Sequence, residues 1–125
     1  MSGFRLAFLA LAASSIAALP SLAAGQSNYI SCSNGIACVM APCPTHNALD
    51  LTTGEIIRVV SIDTTRLPWQ DRTGKYLADA LDAGKIVFKG SIKHEPNSGT
   101  GYDRLIATSV ERKATAAESA SCRAN

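Results

Sequence analysis

With twelve basic and ten acidic residues dispersed along 125 positions, the chain has no basic stripe and no run of like charge. That excludes the electrostatic footprint of a nucleic-acid-binding protein. The length allows one domain, small enough to gain from covalent cross-links.

The first element is an export signal. Arg5 gives a short positive n-region, Leu6 to Leu19 run without a charge, and Pro20 ends the run. Ser21-Leu22-Ala23 then supplies small residues at the two positions a signal peptidase reads. The expected cut follows Ala23, with Ala24 and Gly25 as alternatives. An uncleaved anchor would need roughly 20 apolar residues, and Pro20 stops this stretch early. Residues 1–23 are therefore read as signal peptide, 24–113 as a single β-rich domain, and 114–125 as a flexible C-terminal tail that Cys122 could fasten. The expected location is periplasmic or secreted, with no stable membrane anchor after cleavage.

In chain order, Asn28 to Ser33 and Ile36 to Met40 read as strands around Asn34-Gly35, a dipeptide suited to a tight hairpin turn. Asn47 to Leu51 is a short strand ended by Thr52-Thr53-Gly54. Glu55 to Asp63 is rich in β-branched residues, with Ile57, Val59 and Ser61 on one face and Ile56, Arg58, Val60 and Ile62 on the other. Apolar residues on both faces imply a central or barrel strand.

A connector punctuated by Pro68 leads to one helix, Asp71 to Ala83, with Tyr76, Leu77, Ala80 and Leu81 at helical spacing. Lys75, Asp79 and Asp82 point to solvent. Gly84 stands where a helix ends in the left-handed region. Lys85 to Lys93 alternates, and Gly90 inside it marks a bulge or bend. His94 to Gly101 reads as a loop, and Tyr102 to Arg112 as the last strand. Arg58, Lys89 and Lys93 are read as the solvated faces of their strands. The expected fold is mainly β with one helix: a small OB-like five-stranded barrel, whose helix falls between the third and fourth strands. A β-sandwich or an α+β roll with one packed helix is the alternative.

Cys38, Ala41-Pro42-Cys43, Val59 to Asp63, Lys89-Gly90 and Leu105 to Val110 together resemble an uncharacterised bacterial secreted-domain family. The likeness spans most of residues 29–112 and departs at Pro44-Thr45, where that family has glycines. It implies a small exported cysteine-containing β domain and no catalytic residue.

All four cysteines, Cys32, Cys38, Cys43 and Cys122, follow the signal segment. An even number in an exported chain reads as two disulfides. Three pairings are open and spacing does not choose among them; the favoured one joins Cys38 to Cys43 and Cys32 to Cys122. The competing reading of Cys38, Met40, Cys43 and His46 is a soft-metal site, since two thiols, a thioether and an imidazole suit copper or zinc.

No catalytic residue is expected. The chain has no Gly-x-Ser-x-Gly elbow, phosphate-cradling glycine loop or zincin motif, and its carboxylates are scattered. No cofactor is expected either. Trp69 reads first as a hydrophobic plug at one end of the barrel, with an exposed binding anchor as its alternative. His46 and His94 fall in the loops Ala41 to His46 and His94 to Gly101, which in an OB fold flank the ligand face. These loops are the candidate binding surface. The functional expectation is an exported, non-enzymatic binding or interaction domain, with an unknown exported protein or small ligand as partner. A small periplasmic metal-binding protein, and an inhibitor or envelope-stress protein, are the alternatives.

Overall fold

The computed structural model describes residues 25–74, 76–96 and 101–124. The expected signal segment 1–23 and positions 97–100 of the expected His94–Gly101 loop lie outside the described residues. Among the described residues the chain is mainly β, a mixed six-stranded sheet with three short helices. In chain order come β1 (Ser27–Ser33), β2 (His46–Asp50), β3 (Ile56–Val59), β4 (Ser61–Asp63), α1 (Trp69–Arg72), α2 (Leu77–Ala83), β5 (Ile86–Glu95), β6 (Tyr102–Lys113) and α3 (Ala116–Arg123). The hydrogen-bonded order is β3-β2-β1-β5-β6-β4. All neighbours are antiparallel except β4 and β6, which are parallel.

Period-two alternation divides β1 between two cores. Tyr29 faces one, with Ala48, Val59, Leu67, Leu81, Phe88 and Leu105. Ile30 and Cys32 face the other, with Leu49, Val87 and Cys122. Their partners follow the same rule, since Ile30 opposes Leu49 and Ser31 opposes Ala48. Helix α2 closes the first core: Leu81 is buried in it, and the buried Ser31 hydroxyl donates to the Leu81 carbonyl at 2.8 Å. Helix α3 covers the second through the Cys32–Cys122 disulfide.

Several elements differ from the sequence reading. Ile36 to Met40 is not a strand, and Asn34-Gly35 does not close a two-residue hairpin. β1 and β2 are instead joined by the long connection 34–45, in which Cys38 is bonded to Cys43. A cysteine-closed segment with its apolar side chains in solvent has no neighbouring strand to pair with. The single helix over Asp71 to Ala83 is two, because Thr73 and Gly74 interrupt it and Tyr76 leaves helical dihedrals with φ −110° and ψ 9°. Gly84 then ends α2 at φ +70°, with its amide bonded back to the Ala80 carbonyl, as the sequence implies.

The strand Glu55 to Asp63 is broken at Val60. Ile57 and Val59 pack on the first core, and past the break Ile62 does too, so an added residue has inverted the face. In β5, register shifts fall between Val87 and Phe88 and between Lys89 and Gly90. A β-carbon on Gly90 would collide with the Ile106 carbonyl, which gives that glycine its reason. The segment 114–124 holds α3, fastened through Cys122 as the sequence allows. Thr115 and Glu118 form a reciprocal capping box, and Glu118 also takes both guanidinium arms of Arg112 at 2.8 Å. Trp69 plugs nothing: it is 69% exposed, and Leu67 is the buried side chain of that connector.

Candidate functional site

The connection between β1 and β2 is fastened at its feet and bare at its tip. Its last strand pair is Ser33 opposite His46. Asn34 then spans both legs. Its backbone N–H donates to the Thr45 carbonyl at 3.0 Å, and its side-chain amide donates to the Pro44 carbonyl at 2.7 Å. Its side-chain oxygen accepts the Ile36 N–H at 3.0 Å. Beyond this base the chain runs through Cys38-Val39-Met40-Ala41-Pro42-Cys43, closed by its own disulfide and with a cis bond before Pro42. Val39 is 96% exposed and Met40 84%. Burying such a side chain is worth about 1.5–3 kcal/mol, and here that free energy is left unrealised.

Below the loop, β2 begins with His46, which lines an open cleft of about 460 Å³ with Ser61, Thr64, Arg72, Leu77 and Asp82. Both ring nitrogens of His46 have partners: Nε2 lies 2.8 Å from Asp82 Oδ1, and Nδ1 lies 3.1 Å from the Thr45 hydroxyl. The imidazole therefore ties the loop's second leg to α2. Between Ile62 and Thr64, which line the cleft, Asp63 accepts from the Thr65 hydroxyl at 2.6 Å and the Thr65 N–H at 2.9 Å. Those bonds, the hydroxyl first, hold the Asp63 carboxyl below its ordinary range.

His94 stands elsewhere, near the end of β5, with Nδ1 2.8 Å from Asp103 Oδ1 on the facing strand. Each histidine thus has its own aspartate, and the structure does not bring the two rings into one cluster. Trp69 opens α1 and contributes to neither pair. The alternative metal set is not assembled: Cys38 and Cys43 are bonded to each other, Met40 points into solvent, and His46 is held by Asp82 and Thr45. Among the described residues no group of three or more histidine, cysteine, aspartate or glutamate side chains is arranged around a metal position.

Two residues central to this region escaped the sequence reading. Val39 lay hidden inside a presumed strand, although an apolar pair between two cysteines and ahead of a proline signals a presented loop. Asp82 falls by helical spacing among the solvated carboxylates of the helix. Nothing local in the sequence pairs it with a histidine 36 residues away.

The two disulfides suit an oxidising compartment. Among the described residues no helix is long and apolar enough to cross a membrane. No protein family, curated protein or solved structure matches the chain.

Proposed function

We propose that the protein is an exported, non-enzymatic binding domain, which engages another exported protein through the Cys38–Cys43 loop. The observation that carries this reading is the near-complete exposure of Val39 and Met40 at the tip of a covalently closed loop. Apolar side chains on a projecting tip need a concave, apolar counterpart. A folded protein offers that at the tip, whereas a small ligand would need a concavity beside Val39 and Met40 themselves. A loop fixed before binding also loses less conformational entropy in the complex. An inhibitor is the special case in which the partner is an exported enzyme and the loop fills its cleft.

The scaffold is read as OB-like. β3 and β4 stand at opposite ends of the strand order yet are separated only by Val60, whose N–H donates to the Asp103 carbonyl at 2.9 Å. α2 follows this bent strand and precedes β5, the place of the helix in an OB fold. The resemblance to secreted domains of unknown function agrees with export and adds no ligand.

The test is affinity capture from an envelope extract with the folded protein and with the Val39→Asp/Met40→Asp double variant. Both positions are solvent-exposed, so the variant keeps the wild-type unfolding free energy within about 1 kcal/mol. A partner retained by the wild type and lost by the variant supports the reading. Partners held equally by both would place the binding surface elsewhere.

A further inference from the structure

The two disulfides differ in the features that decide whether a thiol can reach them. Cys32 and Cys122 are 0% exposed, sit in the second core, and join positions 90 residues apart. Opening that bond requires lifting α3 off β1. Cys38 and Cys43 are five residues apart, outside every strand and helix, with Cys38 exposed and Cys43 half-buried. The bonds that hold the loop's base, from Asn34 to Thr45 and Pro44, lie outside the cysteine-closed segment and survive its opening. Residues 34–45 also carry no charged side chain, so an incoming anionic thiolate meets no local repulsion.

The reduced form has a place prepared. Cys43 Sγ lies 3.0 Å from the Met40 carbonyl oxygen, an acceptor for a thiol proton. Access governs thiol–disulfide exchange, and exposed disulfides are the labile ones.

We propose that Cys38–Cys43 is a thiol–disulfide exchange site, open to thiol reductants in the folded protein while Cys32–Cys122 stays closed. A thiolate attacks the sulfur of Cys38, the more exposed residue of the pair, a new sulfur–sulfur bond forms, and the Cys38–Cys43 bond breaks. Its electron pair leaves on Cys43, which takes up the proton released by the attacking thiol. A second thiol attacks the mixed disulfide at the reductant's sulfur, releasing Cys38 as a thiol and the reductant as its own disulfide. Two thiols are oxidised and one disulfide is reduced. This inference does not depend on the loop having a binding partner.

A small thiol and a protein dithiol share this chemistry, and the experiment separates them. The folded protein is incubated without denaturant with reduced glutathione in one arm and with a reduced thioredoxin-fold dithiol protein in the other. Free thiols are then alkylated and mapped by peptide mass, with circular dichroism recorded in parallel. The expected result is alkylation of Cys38 and Cys43, none of Cys32 and Cys122, and an unchanged spectrum; the arm that gives it names the class of reductant. A Cys43→Ser variant treated with oxidised glutathione should carry the glutathione adduct on Cys38. Two results would overturn the proposal: all four cysteines alkylated together as the spectrum is lost, or none alkylated in either arm.

Discussion

Removing the buried disulfide tests how much of the fold depends on α3. In a Cys32→Ala/Cys122→Ala double variant the chain between the two positions, which are 90 residues apart, is no longer closed. The chain-entropy relation puts the lost constraint at about 4.6 kcal/mol, against about 2 kcal/mol for the five-residue separation of Cys38 and Cys43. The variant also vacates sulfur volume in a core where both cysteines are 0% exposed, which adds to the loss. A domain of this size has about 5–15 kcal/mol in total, so the first variant is left marginal and the second is not. With a urea m-value of about 1.5 kcal/mol/M, the midpoints fall by roughly 3 M and roughly 1.3 M respectively. Equilibrium urea unfolding, followed by circular dichroism on both variants, measures the two shifts. Equal shifts, or a larger one for Cys38→Ser/Cys43→Ser, would show that α3 contributes little and that the loop is a structural staple.

Three further outcomes follow from single residues. Gly90→Ala drives a β-carbon into the Ile106 carbonyl across the β5–β6 ladder; the expected cost is about 1–3 kcal/mol, read as a lower thermal midpoint, and an unchanged midpoint refutes the close approach. Glu118 is held at a pKa of about 2 from an ordinary 4.5, first by Arg112 and then by the Thr115 N–H. A depressed carboxylate contributes its stability above the unfolded-state value and loses it as pH falls through the folded one. The cap on α3 should therefore weaken between about pH 4.5 and pH 2, and Arg112→Ala should move the Glu118 carboxyl resonance midpoint upward in an NMR titration. Asn34→Ala removes the acceptor for the Ile36 N–H and the donor to Pro44; amide exchange should quicken at Ile36 and stay slow at Ile30, and equal rates at Ile36 in both proteins would show that Asn34 does not anchor the loop.

The parts of the fold legible in the sequence are those where a local pattern and the tertiary contacts agree. Gly84 and Gly90 are positions whose geometry excludes a side chain or favours its absence. Lys85 to Lys93 and Tyr102 to Arg112 are long enough for alternation to outweigh noise, and they became β5 and β6. The failures have physical causes as well. Ile36 to Met40 has strand composition, but the disulfide fixes a path that no neighbouring strand can follow. Tyr76 and Leu81 share helical spacing, yet Gly74 interrupts the helix, so Tyr76 ends up 69% exposed while Leu81 is buried. The small residues of Ala114 to Asn125 have too little apolar periodicity to announce α3. What places that helix is a capping box and a cysteine whose partner lies 90 positions earlier. The candidate site was half legible. His46 was marked, but its partners are set by packing of α2 against β1, which no local pattern encodes.

The distribution of fastenings along β1 and β2 bears on the role proposed for the loop between them. Cys32, next to the last residue of β1, is bonded to Cys122, and its cross-strand partner Asn47 donates its side-chain amide to the Cys122 carbonyl at 2.9 Å. One step nearer the loop, His46 is held by Asp82 of α2. One step further, Asn34 bonds across both legs. Three successive levels are therefore clamped, by α3, by α2 and by the loop's own base. Buried polar groups such as Asn47 are costly to place and are tolerated when fully bonded. Above these clamps Val39 and Met40 touch no core. Loops held on a rigid scaffold are where binding residues concentrate. Stability of β1 and β2 alone would not require holding their connection at three levels, whereas the proposed presentation of an exposed apolar tip would.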